Sequence, residues 1–415
     1  MPSPGTSAEP VRSITASEAA HTVLASFLGW ALDAFDFFIL IFVMPAVARE
    51  FHRPISHIAF TITATLALRP LGALMFGWIA DRYGRRIPLM VDVVFYSVVE
   101  VLSGLAPSYG WFLAMRALYG IGMGGEWGVG ASLAMEAAPV RWRGVLSGIL
   151  QSGYSIGYLL AAVAARFLLP AWGWRAMFWA GGVPALLALY IRTKVPESEA
   201  WKHHRVASTG QVLRIVAREW KRFAYLVVLM TFMMFLSHGT QDLYPDFLQE
   251  VHHVAAAARA NIAMLYNVGA VLGAVLFGYL SGRAGRRKSM MVALALSLAV
   301  IPLWAFSHGL VALALGAFLM QMGVQGAWGV IPVHLSELAS DAARGLMPGL
   351  AYQLGILFAS PTNSLQYTLR DLVGYQWAIA GFEIVTILVL VVLLARGSEA
   401  HSRSFLKAGP AQDDP

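Results

Sequence analysis

Inside the apolar stretch "MTFMMFLSHGTQDLYPDFLQ" (residues 230–249) stand an imidazole, an amide and a carboxylate: His238, Gln241 and Asp242. His238 and Asp242 are four residues apart, as are Ser237 and Gln241, so on a helix each pair can touch. A carboxylate beside an imidazole can exchange a proton near neutral pH, and an amide can hydrogen-bond a polar solute. Other ionisable groups lie in equally oily surroundings. Asp33 and Asp36 sit three apart in "GWALDAFDFF", Arg69 precedes Pro70 in "LRPLGALMFG", and Arg116 and Glu126 bracket a glycine-rich run. An ionisable group in a bilayer costs about 2.5–3.5 kcal/mol, so such residues are paired, solvated or used. Arginine stays protonated and grips a carboxylate through two hydrogen bonds at once. Arg69, Arg116, His238 and Gln241 are therefore candidate substrate contacts for an anion. Asp33, Asp36, Glu126 and Asp242 are candidate proton carriers. Plainer roles stay open: Arg69 with Asp36 as a permanent pair, Glu126 bonding helix-end groups, and His238 as an interhelical bond.

The elements that must position these groups are long and apolar. The chain is 58% hydrophobic and 13% charged, with a mean hydropathy of +0.63, where a soluble domain carries about 25% charged residues. Twelve apolar runs lie near 22–47, 58–80, 87–106, 110–134, 143–168, 174–193, 222–247, 258–281, 288–307, 310–335, 344–368 and 375–395. Each is long enough for a ~30 Å hydrocarbon core. This is an all-α polytopic membrane protein. Rise per residue puts Asp33, Asp36 and Arg69 near mid-span, with Arg116, His238 and Asp242 in the outer half. Tyr244-Pro245 should end or kink its helix just beyond them.

The polar opening 1–20 reads as a disordered cytoplasmic arm and lacks the basic cluster and cleavage site of a signal peptide. With no cysteine in the chain, disulfides and thiolate metal sites are excluded. The net charge is +7, and of the 30 Lys and Arg residues 22 fall in the arm, alternate loops and the tail, six on the other side and two within helices. That is a topology signal, with both termini cytoplasmic, rather than a nucleic-acid surface.

The sequence also repeats itself. "FGWIADRYGRRIPLM" (76–90) returns as "FGYLSGRAGRRKSMM" (277–291), and "WGVGASLAMEAAPVRWRG" (127–144) as "WGVIPVHLSELASDAARG" (328–345). Both pairs share an offset of 201 residues, 76 to 277 and 127 to 328. The chain then divides into a first six-helix half over 21–193, a cytoplasmic linker over 194–221, a second half over 222–396 and a tail over 397–415. The offset places Glu136 over Glu337, Arg143 over Arg344 and Arg85 over Arg286. Gly282 stands where the first copy has Asp81. Asp81, following a helix end, should face Arg82, Arg85 and Arg86 in a turn that Gly77 and Gly84 permit. Such a cluster can latch two bundles together in one state and release them in another. The alternative is that these arginines only anchor topology. Gly120, Gly122, Gly124 and Gly125 read as a close-packing face, and Trp127 and the "DFF" aromatics as packing.

"GWIADRYGRR" resembles the signature loop of the major facilitator superfamily. The run from Leu118 through Gly120, Gly124, Leu133 and Glu136 to Arg143 is similar to its symporter signature. "FLSHGTQDLYPDF" resembles the seventh-helix motif of carboxylate permeases and sialate:proton symporters, with Met234 and Asp246 departing from it. "VPESEAW" is similar to an element that follows the sixth helix in the wider group. The resemblance implies twelve transmembrane helices in two pseudo-symmetric bundles around a cavity that opens alternately to each side. It implies symport of a small organic anion with protons, most simply a monocarboxylate such as lactate or pyruvate, by a monomer in the cell membrane. The latch set is then Gly77, Asp81, Arg82, Gly84, Arg85, Arg86, Glu136, Arg143, Arg286, Glu337 and Arg344. The other readings are a sugar or sialate-like sugar-acid symporter, an efflux antiporter and, remotely, a transporter-like nutrient sensor. No nucleophile-and-base pair, metal spacing or phosphate loop points to an enzyme, a metal or a cofactor.

Overall fold

The computed structural model describes residues 14–203 and 209–405. The first bundle contains α1 (Ala16–Glu50), α2 (Ile55–Tyr83), α3 (Arg86–Gly104), α4 (Tyr109–Ala137), α5 (Arg143–Ala180) and α6 (Ala185–Lys194). The short α7 (Glu199–His203) and α8 (Thr209–Arg218) follow. The second bundle contains α9 (Trp220–Gln241), α10 (Tyr244–Glu250), α11 (Ala256–Ala284), α12 (Arg286–Phe306), α13 (Leu310–Leu338), α14 (Met347–Ala359), α15 (Thr362–Val373) and α16 (Tyr375–Arg396).

α1 opens on a capping box in which the Glu18 N–H donates to Thr15 Oγ1 at 3.2 Å and the Thr15 N–H to Glu18 Oε2 at 3.0 Å. These bonds satisfy otherwise orphaned donors at the helix start. Residues 16–20 of the expected arm are therefore helical, and residues 1–13 lie outside the described residues. Residues 204–208 of the linker and 406–415 of the tail also lie outside them.

Among the described residues, nine helical spans are long and apolar enough to cross a membrane. The span Arg143–Lys194 holds two crossings, because Gly173 at φ 75° breaks it. α4 is diluted by glycines, and α14–α15 is interrupted at Ser360–Pro361. Among the described residues twelve crossings in two bundles result, as the resemblance implies.

Glycine sets how closely the helices approach. A methyl on Gly120 would lie 2.1 Å from the Thr65 carbonyl oxygen, and one on Gly124 2.0 Å from that of Arg69. Only a residue without Cβ lets α4 rest directly on the α2 backbone. Between bundles, α5 packs on α11 and α13, and α2 on α14. Here Gly148 meets the Ala274 carbonyl and Gly128 meets Gly349. The offset of 201 recurs in the backbone. Gly84 (φ 106°) and Gly285 (φ 95°) make corresponding left-handed turns after α2 and α11, where a side chain would be strained.

Candidate functional site

The deep half of the site belongs to the first bundle. Asp33 and Asp36 on α1, Arg69 on α2, Asp92 and Glu100 on α3, and Arg116 and Glu126 on α4 are all at most 4% exposed. Arg116 Nη1 donates to both oxygens of Glu100 at 2.8 Å, and its guanidinium lies 4.2 Å from the Tyr119 ring centre. Glu100 was not a candidate on sequence, yet it neutralises one of the two expected anion contacts. The rule that marks intramembrane ionisable groups would have found it. Its pairing, across the α3–α4 hairpin, has no sequence signal.

Arg69 is held differently. Its Nε donates to the neutral amide oxygen of Gln353 on α14 at 2.8 Å, and Gln353 Nε2 donates to the Gly124 carbonyl at 3.3 Å. Arg69 Nη2 makes no hydrogen bond among the described residues. The pair suggested between Arg69 and Asp36 is not formed, since both Asp36 oxygens also lack a partner among the described residues. Asp33 accepts from the Tyr119 hydroxyl at 3.1 Å, and the same hydroxyl donates to its backbone carbonyl at 2.7 Å. Asp92 and Glu126 carry carboxyls with no hydrogen-bond partner among the described residues.

The outer half belongs to the second bundle. α9 stops at Gln241, Asp242 caps it, and Pro245 occupies the first turn of α10. The break fulfils the expectation at Tyr244-Pro245, because proline forfeits its N–H and suits only a helix start. His238 Nδ1 and Asp242 Oδ2 are 3.1 Å apart, and their side chains are 38% and 35% exposed. Neither side chain is enclosed by the surrounding helices. Asn363 Nδ2 donates to the same Asp242 oxygen at 3.2 Å. Gln241 does not turn to Ser237 as its spacing suggested. Its Nε2 donates across to Gln321 on α13 at 2.7 Å, and Gln321 Nε2 donates to Thr240 Oγ1 at 3.0 Å. Glu383 on α16, also unforeseen, is fully buried beside Gly239, where a methyl would collide with its carboxyl.

At the end that carries both termini, the two copies of the repeat interlock. Arg85 Nη2 reaches Glu136 at 3.1 Å, and Arg344 of the other bundle reaches the same oxygen at 3.2 Å. In the second copy Arg286 binds Glu337 at 2.9 Å, and Arg143 of the first bundle reaches it at 3.3 Å. Each glutamate is held by its own arginine and by the arginine of the opposite bundle. Asp81 lies within the last turn of α2, not beyond its end. It pairs with Arg85 at 3.0 Å and accepts from the Gly345 and Leu346 N–H groups at 2.8 and 3.0 Å. Of the other two arginines expected around it, Arg82 lies over the Tyr83 ring and Arg86 donates to the Val195 carbonyl at 3.3 Å. The Arg85 and Arg86 N–H groups also donate to Glu197, whose carboxyl burial pushes above its ordinary range. Gly77 is required because a methyl there would come 2.8 Å from the Leu346 Cα.

Residues 26–260 match the family model of the Major Facilitator Superfamily, and residues 231–398 that of the sugar (and other) transporters. The carboxylic acid transporter protein homolog of Saccharomyces cerevisiae is 30% identical over 83% of this chain, which spans 60% of that protein. The probable 4-methylmuconolactone transporter of Cupriavidus pinatubonensis is 31% identical, with 80% of each chain covered. The crystal structure of the human organic anion transporter MFSD10 superposes with a TM-score of 0.75 at 17% identity, covering 91% of this chain and 99% of that one. That last likeness concerns fold alone.

Proposed function

The chain belongs to the major facilitator superfamily, and on that premise we propose that it imports a small organic anion together with protons by alternating access. One observation carries the reading: the break in the seventh crossing leaves His238 and Asp242 accessible while Arg69 lies buried with a guanidinium nitrogen unpartnered among the described residues. A carboxylate entering the site exchanges the weak grip of Gln353 on Arg69 for a charge-assisted pair. Arg116 serves the anion less well, because Glu100 already opposes its charge. Once substrate draws on the field of Arg69, nearby acids lose a stabilising cation and take up protons. Asp33, Asp36, Glu126 and Asp242 are the proposed carriers, with His238 and Gln241 contacting substrate or relaying a proton.

The substrate class we favour is a monocarboxylate, lactate and pyruvate being the smallest members. A carboxylic acid transporter and a lactone transporter among the relatives support an organic acid over a neutral sugar. A sugar or sialate-like sugar-acid symporter, or an efflux antiporter, is the second reading; the helix-7 motif resembles that of sialate symporters as well as that of carboxylate permeases. We further propose a monomer in the cell membrane with both termini cytoplasmic, so that the latch seals the inner face. In proteoliposomes, an inward-acid gradient should drive accumulation of a monocarboxylate, and a protonophore should abolish it. Accumulation that survives the protonophore but requires sodium overturns the proton claim and leaves the family assignment standing.

A further inference from the structure

The tail after α16 folds back over the latch. The Arg287 N–H donates to Glu399 at 3.0 Å, and His401 Nε2 lies 3.2 Å from the Gly282 carbonyl oxygen. These contacts repeat those of the linker in the first half, where Glu197 takes the Arg86 N–H and Trp201 Nε1 donates to the Asp81 carbonyl at 2.8 Å. Gly282 corresponds to Asp81 at the offset of 201. Up to residue 401 the tail therefore docks as the linker does.

Beyond that point it does more. Arg403 donates to the Glu337 and Ala339 carbonyls at 3.1 and 3.0 Å and to Asp341 at 2.9 Å. Phe405 is 2% exposed. The Arg143 guanidinium lies 4.0 Å from its ring centre and that of Arg344 lies 3.9 Å away. Those are the two arginines that cross between bundles. Arg143 Nη1 also donates to the Arg403 carbonyl at 2.8 Å.

We propose that residues 397–405 are a clasp that holds the termini face closed and must withdraw before that face opens. Arg143 moves with the first bundle and Arg344 with the second, so one ring cannot stay against both once they part. A buried ring under two guanidiniums gains both cation–π attraction and shelter from water. The clasp also accounts for an asymmetry. In the first copy Asp81 ties the bundles through the Gly345 and Leu346 N–H groups. The second copy has Gly282 there and no carboxylate to do the same, and the tail supplies the missing tie. This rests on the alternating-access reading only in requiring that the face open.

The chain has no cysteine, so Val140→Cys and Lys288→Cys place one spin label on each bundle at this face. Pulsed electron resonance on the full chain in lipid nanodiscs then reads the gap without any substrate, and its outcome is independent of whether the carried solute is an acid. The parent should give a short-distance population. Phe405→Ala, and a chain ended after Gly397, should add a longer distance whose share rises about fivefold or more. Phe405→Tyr, which keeps the ring, should restore the short one. Melting temperatures identify variants that fail to fold, and if the shortened chain fails, the two point variants decide. The clasp is overturned if Phe405→Ala keeps the parent's distances, or if Phe405→Tyr opens the face as far as Phe405→Ala.

Discussion

The two bundles share a backbone plan and use charge in opposite ways. The first packs seven ionisable side chains into unbroken helices, at most 4% exposed, with Arg116 locked to Glu100. The second keeps few ionisable groups but breaks its helices at 242–243 and 360–361, and leaves His238 and Asp242 more than a third exposed at the first break. A continuous helix satisfies its own backbone, whereas a broken one inside a membrane must be buried in protein or line a wet cavity. The difference teaches a division of labour. On the proposed function, the first bundle would hold charge and protons in place, and the second would admit water and move.

The strongest way to break that division is Asp242→Asn. The amide preserves size and most hydrogen bonds, including the contact with Asn363, but cannot titrate. Gradient-driven accumulation should fall to background while exchange of labelled for unlabelled substrate survives at least in part. If Asp242→Asn still accumulates substrate like the parent, the proton site lies elsewhere, with Asp33, Asp36 and Glu126 as the next groups to replace. A merely structural Asp242 gives a third pattern: lower melting temperature and yield, with coupling intact in the protein that survives.

The halves also differ at the latch, where Asp81 has no counterpart. Asp81→Asn removes a charge that accepts two backbone N–H groups from the opposite bundle. Hydrogen bonds to charged groups contribute about 1.5–3 kcal/mol, and on the proposed alternating-access reading this pair would be lost when the face opens. Transport turnover should drop on the order of tenfold, with equilibrium substrate affinity within a few-fold of the parent. A large loss of affinity at normal turnover would show that the loop shapes the binding site instead.

How much of this was legible in the sequence follows from range. The 201-residue offset shows directly as repeated sequence, while the glycine face of α4 and the His238–Asp242 contact depend on local spacing, which 3.6 residues per turn fixes along a helix. Arg116–Glu100 and Arg69–Gln353 depend on how separate helices rotate against each other, which periodicity does not encode. The same limit explains why Arg86 was expected at Asp81 although only Arg85 of that pair reaches it: the turn at Gly84 swings Arg86 to Val195. The wedge at Phe405 lies in a tail with no apolar period, so nothing marked it.

The smallest expected effect tests whether the second bundle's polar chain serves the solute or the fold. Gln241, Gln321 and Thr240 form a closed run of hydrogen bonds at 2.7 and 3.0 Å. Gln241→Ala removes one member without touching any charge. A neutral hydrogen bond contributes about 0.5–1.5 kcal/mol, so binding should weaken about two- to tenfold if Gln241 turns from Gln321 to the substrate. Gln321→Ala frees Gln241 from its partner, and on the same reading it should leave affinity unchanged or raise it. A fold-only role gives the reverse pattern: both variants lower the melting temperature by similar amounts and neither changes affinity. Thermal shift and equilibrium binding on the two variants therefore separate the cases. The double variant completes the cycle, because a substrate contact made by Gln241 alone predicts the same affinity for it as for Gln241→Ala.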